Sequence, residues 1–190
     1  APAAEAAPVA EAAPASEATV KTAPAPVAAP IEVVETNGSV LVVADVQGGA
    51  LNTGTLAAVT VAKKIAEADG TSFHILVMGS GIGDLAAQLG PYGATTVQVV
   101  DSTELANYLA APYAVTVSDV ARSLGASFVL GVASTFGKDL LPRVAVRLGA
   151  GMISEAIALC PKESDRHVFR RPMWAGNVLA DVQSTTNVTV

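Results

Sequence analysis

The order of elements along this chain predicts a three-layer α/β/α fold, with a mostly parallel, Rossmann-like sheet and a β-rich C-terminal extension. Three observations carry the prediction. From residue 37 onward, β-branched runs alternate with segments of helical periodicity, which implies parallel strands joined by crossover helices. The sequence is 51% hydrophobic but only 4% aromatic, and its apolar share comes mainly from Ala and Val, as expected of strands covered on both faces. After Met152 the alternation stops, and short β-like segments separated by turns take its place.

Each element follows from local chemistry. Ser39–Val46 is a β-branched run between Asn37-Gly38 and Gly48-Gly49 and reads as the first central strand. From Gly54 to Ala68, the residues Leu56, Val59, Ala62, Ile65 and Ala66 recur at helical spacing, and Lys63, Lys64 and Glu67 face water. Ser72–Gly79 is a second strand. Asp84–Gly90 is a helix with Asp84 as its cap and Gly90-Pro91 as its stop. Thr95–Asp101 is a third strand, Thr103–Ala110 a short helix, and Pro112–Gly125 a longer helix with Pro112 in its first turn, where a missing amide costs little. Ser127–Ala133 is a fourth strand, followed by a helix ending near Gly149 in which Pro142 marks either the start or a bend. Ile153–Cys160, His167–Trp174, Val178–Ser184 and Asn187–Val190 read as strands of the extension.

Residues 1–36 form an Ala/Pro-rich arm or linker ahead of the 37–190 domain. The first 30 residues hold 14 Ala and 6 of the 11 Pro, and Pro2, Pro8 and Pro14 alternate with Glu5, Glu11 and Glu17. Such a composition offers too little apolar area for a core and favours an extended, polyproline-like chain. The sequence starts at Ala1 with no initiator Met and no basic, apolar leader, which is the expectation for a processed protein or a fragment.

Charge and composition exclude several function classes. The net charge is −6, which argues against nucleic acid as a partner. The uncharged stretch Leu85–Val100 is interrupted by Gly90, Pro91 and Gly93, so membrane insertion is not expected. One Cys and two His make a metal site improbable. Charge is uneven, however: Ile31 to Gly137 carries 3 basic and 9 acidic residues, and Lys138 to Val190 carries 7 basic and 5 acidic. A basic surface from Lys138, Arg143, Arg147, Arg166, Arg170 and Arg171 reads either as a partner-docking face or as an ordinary solvated one.

Candidate chemistry is sparse. The turn Gly79-Ser-Gly81-Ile-Gly83-Asp84 between a strand and a helix resembles a dinucleotide-binding loop, with Asp101 at about the distance of a ribose-binding acid. Asp84 stands where the third glycine belongs and puts negative charge where phosphate should sit, so a capped tight turn is the competing reading. Asp45 ends the first strand, where open sheets bind ligands, and reads as a loop-capping carboxylate. No nucleophile and base pair is visible: His74 lies in a strand, His167 in a charged turn, and Cys160 precedes Pro161. The only Trp sits in RRPMWAGN (Arg170–Asn177), either as an interface anchor beside two Arg or as the closure of a small core.

Four segments together resemble the amino-terminal domain of the electron transfer flavoprotein alpha subunit. They are VLVVAD (Val40–Asp45), GGALN (Gly48–Asn52), ASTFGKDLLPRVAVRLGAGMISE (Ala133–Glu155) and RRPMWAGN (Arg170–Asn177). The resemblance runs from about Val40 to Val190; it departs at Trp174, where the family usually has Tyr, and at Asp45, where it usually has Glu. What it implies is a non-catalytic scaffold with no catalytic, cofactor-binding or metal residues of its own, and with FAD held by a partner chain or by a missing carboxyl-terminal domain. It implies pairing with a beta subunit, in electron transfer from dehydrogenases to the quinone pool. Phe136, Gly137, Lys138, Arg143, Arg171, Trp174, Ala175, Gly176 and Asn177 are then the expected partner interface. A second reading is an accessory structural subunit, without flavin, of a larger respiratory assembly engaged through the N-terminal arm. A third takes the Gly79–Asp84 turn as a nucleotide site. The expected compartment is the mitochondrial matrix, with the bacterial cytoplasm as the alternative.

Overall fold

The computed structural model describes residues 35–190; the expected arm, residues 1–36, lies outside them apart from its last two positions. Strand β1 (Ser39–Val43) is buried at every residue, because it lies at the centre of a parallel sheet covered on both faces. The chain then makes a small antiparallel hairpin, β2 (Val46–Gln47) with β3 (Ala50–Leu51), before α1 (Gly54–Asp69), β4 (Phe73–Gly79) and α2 (Gly83–Leu89). Next come β5 (Thr96–Asp101), α3 (Ala110–Ser123), β6 (Ala126–Leu130) and α4 (Thr135–Leu148). The four long strands run in the order β5-β4-β1-β6, with β1 pairing in parallel to both β4 and β6. This is the three-layer α/β/α architecture that the alternation predicts.

Strand periodicity divides the core in two. Val40, Val42, Ile75 and Val77 point to one face and pack with Val59, Ala62, Ile65 and Ala66 of α1. Leu41, Val43, Leu76 and Met78 point to the other and meet Ala114 and Val117 of α3 and Leu140, Val144 and Leu148 of α4. Each large side chain removed from water in this way contributes roughly 1.5–3 kcal/mol before the entropy of ordering it. Helix α4 begins at Thr135, its first turn capped by the Ser134 Oγ accepting from the Gly137 amide at 3.2 Å. Pro142 therefore does not start the helix; it stands in the interior, where the Lys138 carbonyl lacks its usual donor. Gly137 is required by contact: a Cβ there would lie 1.8 Å from the Val132 carbonyl oxygen.

The C-terminal extension is β-rich but differs in detail from the expectation. A separate antiparallel sheet has the order β7-β8-β9, formed by β7 (Ala158–Glu163), β8 (Arg166–Met173) and β9 (Val178–Val182). Residues 153–157 are not part of a regular strand. The tail instead completes the main sheet: the Val129 amide donates to the Thr189 carbonyl and the Thr189 amide to the Ser127 carbonyl, while the Gly151 amide donates to the Val188 carbonyl. Residues 188–190 thus lie between β6 and the segment after α4, with Thr189 bridged in parallel to Phe128 and Gly151. The expected short helix after β5 is a single tight turn, Thr103–Leu105.

His167 is not in a charged turn. It lies in β8, buried, with Nε2 at 2.9–3.0 Å from both carboxylate oxygens of Asp69 at the end of α1, and its ring meets Phe128 edge-on at 5.2 Å. Lys162 of β7 also pairs with Asp69. These contacts, with Phe169 and Leu159 packed over Phe128 and Leu130, fasten the antiparallel sheet to the α1 face of the main one.

Candidate functional site

The expected interface residues fall into two groups. On α4, the half-buried Phe136 stacks edge-on against Tyr108 at 4.9 Å and Tyr113 at 6.0 Å, and Gly137 is buried against the end of β6. Lys138 is exposed and its Nζ lies 2.6 Å from Glu155 Oε1, which holds the Glu155 carboxyl below its ordinary value. Arg143 pairs with Asp139 at 3.1 Å, and Asp139 also accepts from the Tyr108 hydroxyl at 2.8 Å. These two donors lower the Asp139 carboxyl. Burial, followed by the bond to Asp139, pushes Tyr108 up to about 12.

The second group is the β8–β9 hairpin. Trp174 is 77% exposed, so it does not close a core. Trp174 and Ala175 hold φ of 49° and 54°, a left-handed conformation that costs residues with a Cβ roughly 1–3 kcal/mol each. The turn is closed by the Gly176 amide on the Met173 carbonyl and the Asn177 amide on the Trp174 carbonyl. Met173, Val178 and Leu179 beside it are also exposed. Arg171 is half-buried, and its Nε is a buried donor without an acceptor among the described residues. Arg170 is fully committed to Asp181 by two hydrogen bonds of 2.7 and 2.8 Å.

One residue links the groups and escaped sequence reasoning. Glu155 binds Lys138, and the charge of Arg171 also acts on its carboxyl in the lowering direction. Its only signal was position: it ends the distinctive block that begins at Ala133. No hydrogen bond or ion pair among the described residues joins α4 to residues 174–177. Of the remaining basic residues, Arg166 donates to the Ser184 carbonyl, and the Arg147 carbonyl accepts from Arg122.

The nucleotide reading of the Gly79–Asp84 turn is corrected by its hydrogen bonds. The Asp101 carboxylate accepts from the Gly81 amide at 2.8 Å and from the Ile82 amide at 3.1 Å. The donors that a pyrophosphate would need are held by a negative charge of the chain itself, and Asp84 lies inside the first turn of α2, one residue past its start and not at the cap. Asp45 is buried and accepts from Asn52 at 2.8 Å and Gln47 at 3.2 Å, so it pins the β1–α1 loop. His74 bridges Ser72 and Thr96, and burial lowers its pKa. No group of three His, Cys, Asp or Glu suited to a metal exists among the described residues, and none of their helices is long and apolar enough to cross a membrane.

The model of the electron transfer flavoprotein domain family matches residues 40–190. The chain belongs to that family. An electron transfer flavoprotein subunit alpha of Pseudomonas aeruginosa is 35% identical over 153 residues, covering 80% of this chain and 46% of the relative. The mitochondrial alpha subunit of Oryza sativa subsp. japonica is 35% identical over 152 residues, 77% of this chain and 41% of its own length. The LctC subunit of a lactate dehydrogenase (NAD(+),ferredoxin) from Acetobacterium woodii is 33% identical over 121 residues, 64% of this chain and 29% of its own. The chain thus spans less than half the length of these curated relatives. Among the described residues, the dinucleotide-like turn is filled by Asp101, and Lys138, beyond the end of β6, is paired with Glu155.

Proposed function

We propose that this domain is the docking scaffold of an electron transfer flavoprotein alpha subunit, itself without catalytic chemistry, which seats a beta subunit while a separate domain or chain carries FAD. The observation that carries the reading is the hairpin tip. An exposed Trp is held in a strained left-handed turn among exposed apolar neighbours, the kind of rigid aromatic anchor that dominates interface energetics. The docking surface in this reading joins Lys138 and Arg143 of α4, carried by the turn of the half-buried Phe136 and the buried Gly137, to Arg171, Trp174, Ala175, Gly176 and Asn177 of the hairpin. In this reading residues 1–36 serve as a linker, available to a larger assembly, and the chain works in electron transfer from dehydrogenases towards quinone. Mitochondrial and bacterial relatives alike are consistent with the matrix or the cytoplasm as its compartment.

The test is calorimetric titration of the chain with the beta subunit of the same organism. Binding is expected, and Trp174→Ala should weaken it by about tenfold or more, as truncation of a buried aromatic anchor does, while leaving the melting temperature within a degree or two of the parent. No association of the unmutated chain, or full affinity in the Trp174→Ala variant, overturns the proposal.

A further inference from the structure

The main sheet has two edges, and the chain closes one of them. Beside β6, Thr189 exchanges backbone bonds with Ser127 and Val129, and Gly151 and Ile153 bond the tail in turn. Beside β5, no segment among the described residues does the same, and β5 is bonded to β4 alone. Which groups are left over follows from the ladder. The Val40 amide donates to the Ser72 carbonyl and the Ala44 amide to the Leu76 carbonyl, so β4 turns its even-numbered residues to β1 and its odd-numbered ones to β5. The Ser102 amide on the Gly79 carbonyl keeps that pattern at the far end. In the register that sets Ile75 beside Val97 and Val77 beside Val99, the even-numbered residues of β5 bond inward. The amides and carbonyls of Val97 and Val99 therefore face outward, with no hydrogen-bond partner among the described residues.

Three features make this edge a template for another strand. Residues 94–100 contain no charge, Pro or Gly, whereas an exposed edge is usually protected by Lys, Pro or a bulge. The register with β4 runs unbroken from Thr96 to Asp101, so no bulge twists the strand away. Val99, beside the unpaired backbone groups, is 41% exposed.

We infer that β5 is an interface at which two copies of this chain join, antiparallel, about a twofold axis through Gln98. An axis perpendicular to the sheet keeps each face of one copy level with the same face of the other, so residues opposite each other have numbers of the same parity. Centred on Gln98, it sets Val97 opposite Val99 twice, and each of these outward-facing pairs exchanges both of its backbone hydrogen bonds. Thr96 then faces Val100, and Gln98 faces its own copy, with an amide that both donates and accepts. The one charge of the strand, Asp101, lies opposite Thr95 and not opposite a like charge. This self-complementarity selects a second copy as the occupant, because an isologous pairing closes both edges at once. The contact is smaller than the roughly 1,200 Å² of a stable interface, so the dimer is weak and reversible. Charge opposes it: each copy carries −6, and no Lys or Arg occurs from Ile65 to Ala121. Salt therefore strengthens it. The inference does not depend on the docking role proposed above, whose surface lies on α4 and the β8–β9 hairpin.

The experiment is sedimentation equilibrium of the full 190-residue chain from about 10 µM to about 1 mM, in about 50 and about 500 mM NaCl. A monomer–dimer equilibrium is expected, half dimer at roughly 100 µM in the lower salt and severalfold tighter in the higher. Over the same range the amides of Val97 and Val99 should gain protection from hydrogen exchange. Val99→Pro removes an outward donor that the monomer does not use and should abolish dimerisation. Val99→Glu keeps the donor but sets two like charges diagonally across the axis; it should weaken the dimer about tenfold or more, and it decides the matter if the Pro variant does not fold. In a Cys160→Ser background, Gln98→Cys should form an intermolecular disulfide on mild oxidation, and Val99→Cys far more slowly. A chain that stays monomeric at about 1 mM in the higher salt, a dimer that Val99→Glu leaves intact, or faster cross-linking through position 99 than through 98 overturns the inference. Association that salt weakens overturns it as well, since that is the mark of attraction between opposite charges.

Discussion

Asp69 ends α1, where the helix dipole is unfavourable to a negative charge, yet it receives His167 on both oxygens and Lys162 beside them. Its side chain is 18% exposed and that of His167 is 4% exposed. A hydrogen bond to a charged group contributes about 1.5–3 kcal/mol, and a buried donor left without an acceptor costs a similar amount. Asp69→Ala is therefore expected to destabilise the fold by about 2–3 kcal/mol. Lys162→Ala should cost less than about 1 kcal/mol, because its ammonium is one-third exposed. A double-mutant cycle of Asp69→Ala with His167→Ala should give a coupling of about 1–2 kcal/mol. The acid limb follows from the Asp69 pKa. Burial pushes that carboxyl up, but hydrogen bonds from Lys162 and His167 and their charges outweigh the burial, and the net value lies below 3.8. A folded pKa below the unfolded one contributes stability that is present above pH 3.8 and lost as pH falls through the folded value. Urea unfolding at pH 7 and at successive pH values below 3.8 measures both effects: the difference between the parent and Asp69→Ala should shrink in acid. A coupling near zero, or a difference independent of pH, would show that the antiparallel sheet is held by apolar packing alone.

Three further outcomes test other parts of the structure. Gly137→Ala should destabilise by about 3 kcal/mol or more in a thermal melt, because a Cβ 1.8 Å from the Val132 carbonyl forces α4 away from β6. Leu140→Ala, fully buried between α3, α4 and the sheet, should cost about 2–5 kcal/mol in urea with an unchanged m-value. In an alkaline absorbance titration Tyr108 should stay a phenol until about pH 12; a folded pKa above that of the unfolded chain adds stability below pH 10 that fades as pH rises towards 12, and Asp139→Asn should bring the transition down.

The parallel half of the domain was legible because its signal is local. A run such as Val40–Val43 has one solution when both faces are buried, and the spacing of Val59, Ala62, Ile65 and Ala66 has one helical face. The block from Ala133 to Glu155 and the segment Arg170–Asn177 were distinctive enough to point to the electron transfer flavoprotein family, which the match over residues 40–190 shows. Boundaries were less legible: Ile153–Cys160 has β-forming composition, but only from Ala158 does it find a neighbour to pair with.

What the residue pattern alone determined was the order of elements, the faces they bury and the family. What tertiary structure decided was which polar groups meet. Asp101 reaches back across a strand and a turn to Gly81 and Ile82, His167 finds Asp69 from 98 positions away, Thr189 slots in beside Phe128, and Trp174 ends in water. The reason is physical. Periodicity states how a segment divides between apolar and wet surroundings, a property of neighbours in the chain, whereas the partner of a buried carboxylate or imidazole is set by which distant segments the closed sheet brings within about 3 Å, and no local pattern encodes that distance.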